Sequence, residues 1–162
     1  LSPTWGIYSG FELYEAAPFK VGGEEYLDSE KFELRPRDWA AAEKEGRTLA
    51  PYITRLNELR RDHPALQSLR NVTFHASDDD GVIAFSKNDG DDTVLVICTL
   101  DPKGARNSWV HLDMPALGFE WHERVFAHDL VTDTEWQWNK DVHVHIDPYR
   151  SVAHIVTLRR MK

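Results

Sequence analysis

The sequence predicts an all-β antiparallel sandwich over residues 71–162, preceded by a region of loops and helices over residues 1–70. From Asn71 onward, apolar and polar residues alternate with a period of two, which is typical of half-buried strands. Clusters of Asp, Asn, Gly and Pro separate these segments, and Asn-Asp-Gly is a strong turn signal. The alternation is absent before residue 71, so the chain changes character there.

Seven short segments are predicted as strands, and seven such strands joined by tight turns are typical of a sandwich. They are GVIAFSK (81–87), DTVLVICTL (92–100), SWVHLDM (108–114), ERVFAHDL (123–130), TEWQW (134–138), DVHVHI (141–146) and VAHIVTLR (152–159). The second segment is apolar almost throughout, which predicts a central strand covered on both faces.

The first 70 residues are predicted to contain one strand and two helices. Residues 5–14, WGIYSGFELY, are apolar and aromatic and predict a buried strand that ends in a glycine-bounded turn. The alanines of residues 37–46, RDWAAAEKEG, predict a short helix with Gly46 at its C-terminal end. A longer helix is predicted over residues 49–63, because Thr48 can cap it and Pro64 must end it.

Composition excludes several classes of function. The net charge of −8 disfavours nucleic acid and anionic membranes as partners. No apolar run approaches the roughly 20 residues that span a bilayer, and the first ten residues do not form a signal peptide. With a single cysteine, Cys98, inside an apolar segment, we expect a cytoplasmic protein. The sequence opens without a methionine, and we expect it to be a fragment of a longer protein.

The segment DVHVHID comes nearest to a metal-binding pattern. Five side chains could contribute, namely Asp141, His143, His145, Asp147 and His154. Zinc needs three or four ligands that converge at about 2 Å, and the spacing alone does not show such convergence. The alternative is a polar outer strand face that alternates with apolar residues. We favour this alternative and predict no metal and no other cofactor.

Glycoside chemistry by paired carboxylates is a second possibility, and it needs two carboxyl groups at a fixed separation across a sugar. Eight acids of the N-terminal region could supply them, namely Glu12, Glu15, Glu24, Glu25, Asp28, Glu30, Glu33 and Asp38. The sequence fixes none of their separations. We therefore predict a supporting role for some of these acids rather than a complete acid/base pair.

Three segments of the chain resemble the α-amylase superfamily. Pro3, Tyr8, Gly10 and Glu12 match, with slightly different spacing, the pattern P-x-x-Y-x-G-x-E of its eighth barrel strand. YITRLNELRRDHPAL is similar to its last barrel helix, and the strand-rich tail is similar to its C-terminal β-sandwich. The resemblance implies that residues 1–70 are the end of a (β/α)8 TIM barrel (its last strand, loop and helix) and that residues 71–162 form a C-terminal β-sandwich domain.

The segment EEYLDSEKFELRPRDW, residues 24–39, resembles a narrower family, the bacterial α-1,4-glucan:maltose-1-phosphate maltosyltransferases. In a barrel it would be the last strand-to-helix loop, at the face where such barrels build their active sites. The resemblance implies transfer of a maltosyl unit from α-maltose 1-phosphate to the non-reducing end of an α-1,4-glucan. Phosphate would leave with retention of configuration, through a carboxylate nucleophile and a carboxylic general acid. In the family these acids lie on earlier barrel strands, so no catalytic residue is expected in this chain.

The resemblance assigns two substrate-binding residues, Lys31 and Phe32, which match positions that contact the donor maltose. The Lys31 ammonium offers three donors to sugar hydroxyls. Without the resemblance, a surface lysine paired with Glu30 or Glu33 would be the simpler interpretation. Phe32 stands where many relatives are expected to have Tyr, so a hydroxyl is lost and an apolar surface is kept.

The implied partners are the N-terminal remainder of the same enzyme, α-maltose 1-phosphate and an α-1,4-glucan, with the complete enzyme expected as a homodimer. One alternative is a non-catalytic glucan-binding module with four tryptophans as a stacking platform, namely Trp109, Trp121, Trp136 and Trp138. Another is a different enzyme of the superfamily, such as a branching enzyme or a trehalose synthase.

Overall fold

A computed structural model of the chain describes residues 1–27 and 36–161. The chain divides into two compact units. One unit is Thr4–Glu58, and the other combines Leu1–Pro3 with Leu59–Lys162. Among the described residues, no helix is long and apolar enough to cross a membrane.

Both predicted helices are confirmed. The short helix α1 is Trp39–Lys44, and the Asp38 carboxylate caps it by accepting a hydrogen bond from the Ala41 amide at 2.9 Å. The longer helix α2 is Ala50–Asp62, and the Thr48 hydroxyl accepts from the Ala50 amide at 3.1 Å at its start. Its last residue is Asp62. The backbone of the next residue, His63, is extended, because a residue that precedes a proline avoids the helical region.

The predicted strand over residues 5–14 is wrong for this chain. The segment contains a short 3₁₀ helix, Phe11–Leu13, and otherwise has no regular structure. Its large side chains are exposed rather than buried, with Tyr8 at 64% and Phe11 at 52%. A strand needs a neighbouring strand for its backbone hydrogen bonds, and the described residues place none beside it.

The prediction of an all-β antiparallel fold after residue 70 is confirmed. The described residues form eight strands, which are β1 Val72–Ser77, β2 Val82–Asp89, β3 Asp92–Thr99, β4 Arg106–His111, β5 Val125–Asp129, β6 Thr134–Trp138, β7 Asp141–Ile146 and β8 Ala153–Arg160. Seven of them correspond to the seven predicted segments. The sequence analysis missed β1. Its buried position is occupied by a polar residue, His75, so the segment lacks the apolar pattern of a half-buried strand.

The strands are hydrogen-bonded in the order β6-β5-β8-β3-β2-β1-β4-β7, and every pair is antiparallel. β1 changes partner along its length, since Val72–His75 pairs with β2 while Ala76 and Ser77 pair with β4. The β4–β7 pair therefore joins the other six strands through the end of β1. Inward side chains from both parts form one buried cluster, which includes Leu95, Ile97, Val110, Val144 and Val156.

Strand β3 lies between β2 and β8, as its apolar sequence predicted. Its residues Val94, Leu95 and Ile97 are fully buried, although neighbouring residues of a strand point to opposite faces. A second short 3₁₀ helix, Pro64–Gln67, contacts β2 and β3 and buries Ala65 completely. Both faces of the central strand are thus covered within this unit.

Candidate functional site

The two substrate-binding residues expected from the sequence, Lys31 and Phe32, lie outside the described residues. The structure describes the two ends of the segment that carries them. On the N-terminal side, the Leu27 amide donates to the Ala17 carbonyl at 2.8 Å, and Pro18 pairs with Tyr26 in an isolated antiparallel bridge. On the C-terminal side, Arg37 and the capping residue Asp38 are held in place. The candidate site is this frame, which we call the loop frame: residues 9–27 together with residues 36–38.

An ion pair between Arg37 and Glu15 is the central contact of the loop frame. Arg37 Nε and Nη2 donate to the two carboxylate oxygens of Glu15, each at 2.9 Å. This bidentate geometry is the strongest form of an arginine–carboxylate contact. Arg37 Nη2 also donates to the Ser9 carbonyl at 3.3 Å. The hydrogen bond to Glu15 raises the pKa of Arg37, so the guanidinium stays charged at every pH of interest.

Gly10 makes this ion pair possible. Its φ of 103° lies in the left-handed region that favours glycine. A β-carbon at this position would lie 2.2 Å from Glu15 Oε2 and 3.0 Å from Arg37 Nη2. The Gly10 amide also donates to Glu12 Oε2 at 3.1 Å. The glycine therefore allows the backbone to approach the ion pair closely.

Exposed aromatic rings are numerous in the loop frame and in the residues just before it. Six of them belong to residues 4–27 and are at least two-fifths exposed, namely Trp5, Tyr8, Phe11, Tyr14, Phe19 and Tyr26. Rings of this size are seldom left in water in such number, because each buries a large apolar area when it finds a partner. They give this part of the chain a strongly aromatic surface.

A groove of about 440 Å³ lies beside α1 and α2 in the same unit. Its lining mixes one ring with charged and hydroxyl groups: Trp39, Glu43, Thr48, Ala50, Pro51, Thr54, Arg55 and Glu58. Arg55 Nη1 lies 3.5 Å from Glu58 Oε2, so part of the charge is compensated within the groove. The sequence analysis did not predict this groove, because it is lined by the polar face of α2 rather than the apolar one.

The residues of the metal-like segment have other partners. Asp141, His143 and His145 are exposed on β7 and alternate with buried Val142, Val144 and Ile146. His145 Nδ1 contacts Asn107 at 2.9 Å, while His154 Nδ1 contacts Asp129 at 2.8 Å. Within residues 1–27 and 36–161, no group of three or more His, Cys, Asp or Glu side chains is arranged to hold a metal ion. The alternation predicted for this strand is confirmed.

The four tryptophans do not form one platform. Trp136 and Trp138 stack with ring centroids 5.3 Å apart and pack, partly buried, against the apolar core. Trp109, on β4, is 48% exposed and lies edge-on to His143 at 5.3 Å. Trp121 is 47% exposed, with Lys140 Nζ 5.6 Å from its ring centroid.

Solved structures with a similar fold are α-amylases. A maltogenic α-amylase from Thermotoga neapolitana matches with a TM-score of 0.59 at 11% identity, covering 96% of this chain and 33% of that one. The acarbose complex of an α-amylase from Geobacillus thermoleovorans matches with a TM-score of 0.52 at 18% identity, covering 70% of this chain and 23% of that one. These likenesses show that the chain shares the fold of one part of these α-amylases.

Sequence comparison is more specific. Residues 74–158 match the family model described as "GLGE, C-terminal", and the chain belongs to that family. A Streptomyces coelicolor protein named α-1,4-glucan:maltose-1-phosphate maltosyltransferase 2 is 52% identical over 160 residues, which are 99% of this chain and 24% of the relative. A Mycobacterium tuberculosis protein named α-1,4-glucan:maltose-1-phosphate maltosyltransferase is 49% identical, over 98% of this chain and 23% of the relative. The chain thus spans about a quarter of the length of these relatives.

Proposed function

We propose that this chain is the C-terminal part of a retaining α-1,4-glucan:maltose-1-phosphate maltosyltransferase. The complete enzyme transfers a maltosyl unit from α-maltose 1-phosphate to the non-reducing end of an α-1,4-glucan and releases phosphate. The observation that carries the proposal is identity of about 50% to proteins of that name over nearly the whole chain. The alignment covers 99% of the chain, so it takes in the residues before the family model's match at 74–158 as well.

In this proposal, residues 1–70 complete a (β/α)8 barrel whose other elements precede Leu1, and residues 71–162 form the C-terminal β-sandwich. The exposed rings of residues 5–14 support this division, since a barrel strand would bury them between neighbours that the chain itself does not supply. The partner is then the N-terminal remainder of the same enzyme, which assembles as a homodimer in the cytoplasm.

The loop frame has a defined task in this proposal. It holds residues 28–35 at the face of the barrel where the donor binds, with Lys31 donating to sugar hydroxyls and Phe32 packing against the sugar. The bidentate Glu15–Arg37 pair supports the assignment, because a sugar-binding loop must be fixed to act in catalysis. The nucleophile and the general acid belong to the preceding part of the enzyme.

The test is phosphate release by the full-length protein. With α-maltose 1-phosphate and a malto-oligosaccharide acceptor, we expect phosphate together with products lengthened in steps of one maltosyl unit. Omitting either substrate should abolish transfer. Branched products from a glucan alone, or trehalose from maltose, would instead identify the branching enzyme or the trehalose synthase.

A second candidate function is glucan binding by the C-terminal β-sandwich, residues 71–162. It is favoured by the exposure of Trp109 beside His143. Its discriminating measurement is retention of the full-length protein on immobilised glycogen. If this role is correct, Trp109→Ala should reduce retention while Trp109→Phe preserves it. Equal retention of both variants and the parent would leave the transferase proposal standing alone.

A further inference from the structure

Lys87 is an unusual residue in the middle of strand β2. Its side chain is only 1% exposed, and in the sheet it is flanked by Val72 of β1 and Val94 of β3. No carboxylate among the described residues pairs with it. Desolvation lowers the pKa of its ammonium group. A buried cation without a counter-charge costs free energy, so its presence calls for a structural reason.

The Lys87 ammonium joins two distant parts of the chain. Nζ donates to the Ser68 carbonyl at 2.5 Å and to the Leu1 carbonyl at 3.2 Å. Leu1 lies just before the Thr4–Glu58 unit, and Ser68 follows it, after α2 and the Pro64–Gln67 turn. One side chain of β2 therefore ties together two main-chain segments that are far apart in sequence, and both belong to its own unit.

Arg60 strengthens the same arrangement from the last turn of α2. Its Nη1 donates to the Pro3 carbonyl at 2.8 Å. The main-chain oxygens of Leu1 and Pro3 thus both accept hydrogen bonds from cationic side chains, Lys87 and Arg60 respectively. Because a lysine or arginine bond to a carbonyl is directional, these contacts set the position of the segment as well as holding it.

We propose that Lys87 is a positioning residue: its ammonium fixes the course of the main chain at Leu1 and at Ser68. In the proposed enzyme these segments lead into the last barrel strand and out of the last barrel helix. The consequence for catalysis rests on the proposed function, whereas the anchoring itself does not. Stability alone would not select a lysine here, since an apolar residue of similar length in place of a buried charge is often neutral or stabilising. The lysine supplies what an apolar residue cannot, two directed hydrogen bonds to separate segments.

The experiment compares three variants of the full-length protein with the parent. Lys87→Met keeps the length of the side chain and removes both hydrogen bonds. Arg60→Met removes only the contact to Pro3, outside the sheet, and therefore carries less risk of misfolding. Lys103→Met changes an exposed lysine of the same unit and is the control. Each is followed by hydrogen–deuterium exchange and by initial rates with α-maltose 1-phosphate.

We expect faster exchange in residues 1–10 and 64–70 for Lys87→Met, in residues 1–10 alone for Arg60→Met, and in neither for Lys103→Met. In the rates, Lys87→Met should lower kcat/KM for α-maltose 1-phosphate severalfold at an unchanged melting temperature. Exchange at the parent's rate in Lys87→Met, with unchanged kinetics, would overturn the proposal. A fall in melting temperature without any local exchange pattern would also overturn it, because Lys87 would then only stabilise the sheet. If the parent releases no phosphate, the proposed function fails while the exchange pattern still decides the anchoring.

Discussion

Glu15 and Arg37 meet through two parallel hydrogen bonds of 2.9 Å, and they close a chain segment that contains the loop assigned to donor binding. The pair is partly shielded, with side chains 27% and 16% exposed. Sequence spacing gave no reason to join these two residues, which lie 22 positions apart. Their contact ties Arg37, just before α1, to Glu15, which follows the Phe11–Leu13 turn.

Removing the arginine should therefore damage catalysis more than folding. For Arg37→Met in the full-length protein we expect kcat/KM for α-maltose 1-phosphate to fall on the order of 10- to 100-fold, the usual effect of misplacing a substrate-positioning element. The matched control is Arg47→Met, since Arg47 pairs only with the nearby, exposed Glu45. Steady-state kinetics decide the matter, and equal rates for both variants would show that the ion pair does not position the loop.

Gly10→Ala should break the same ion pair from the backbone side. The added methyl group would clash with Glu15 Oε2, and alanine is strained at a φ of 103°. We expect a loss of about 1–3 kcal/mol in local stability together with reduced activity. Gly6→Ala is the control, because nothing lies within 4 Å of the corresponding β-carbon and its φ is ordinary. Proteolytic cleavage within residues 9–38 should increase for Gly10→Ala only.

The sequence predicted elements whose signals are local. Seven of the eight strands and both helices follow from alternation, caps and prolines, and β7 even has the predicted bounds. The failures lie where distant residues decide. Residues 5–14 have strand-like composition but no strand beside them, and β1 was missed because its buried His75 is satisfied by Ser86, on the neighbouring strand. The Glu15–Arg37 contact is likewise invisible in spacing, because it depends on how the intervening chain folds back.

His111 should make the β4–β7 pair less stable as the pH rises. Its Nδ1 faces Asp141 Oδ1 at 2.8 Å and its Nε2 faces Asp78 Oδ1 at 3.0 Å, so both nitrogens must carry a proton. Hydrogen bonds to Asp141 and Asp78 raise the pKa of His111. A raised folded-state pKa gives stabilisation that is complete below the ordinary value of about 6.5 and is lost as pH rises through the folded value. Lys140, near Asp141, is the other charged group at this contact.

Hydrogen–deuterium exchange of residues 106–111 and 141–146, corrected for intrinsic rates, measures this effect. The parent should exchange faster as pH rises through the raised pKa of His111, and His111→Gln should exchange fast at all pH values. His128→Gln is the matched control, since the carboxylate that the His128 ring contacts, Asp133, belongs to its own hairpin. A parent profile that is flat with pH would refute the assignment.

Among the acidic residues of the β-strand region, residues 71–161, Asp129 should be the one whose substitution lowers stability most. It is fully buried and accepts hydrogen bonds from His154 Nδ1 at 2.8 Å, the Val131 amide at 3.0 Å and the Thr132 hydroxyl at 2.9 Å. Desolvation acts to raise the pKa of Asp129, but these hydrogen bonds outweigh it and the pKa is lowered. The stabilisation is therefore present above the ordinary pKa of about 4 and is lost as pH falls through the lowered value.

Asp129→Asn keeps the shape of the side chain but removes its charge. The new amide NH2 group then faces groups that themselves donate hydrogen bonds. We expect a loss of about 1.5–3 kcal/mol in the free energy of unfolding at neutral pH, and a smaller loss at acidic pH. Asp133→Asn, at an exposed carboxylate of the same hairpin, should cost no more than about 0.5 kcal/mol. Urea titrations followed by the fluorescence of the core tryptophans give both values. Equal losses for the two variants would contradict the role of Asp129 as a buried anchor.

Substitutions of the two residues proposed to bind the donor, Lys31 and Phe32, should have opposite effects on donor affinity. Lys31→Ala in the full-length enzyme should weaken binding of α-maltose 1-phosphate by about 1–3 kcal/mol, the usual loss for hydrogen bonds from a charged group. Phe32→Tyr restores a hydroxyl beside an apolar surface that is already present, so donor binding should be equal or tighter. Lys44→Ala, an exposed lysine at the end of α1, is the matched control and should leave the kinetics unchanged. The measurement is KM and kcat over a range of donor concentrations. If both constants are unchanged in Lys31→Ala, Lys31 does not bind the donor. A large loss in Phe32→Tyr would show that the ring is packed where no hydroxyl fits.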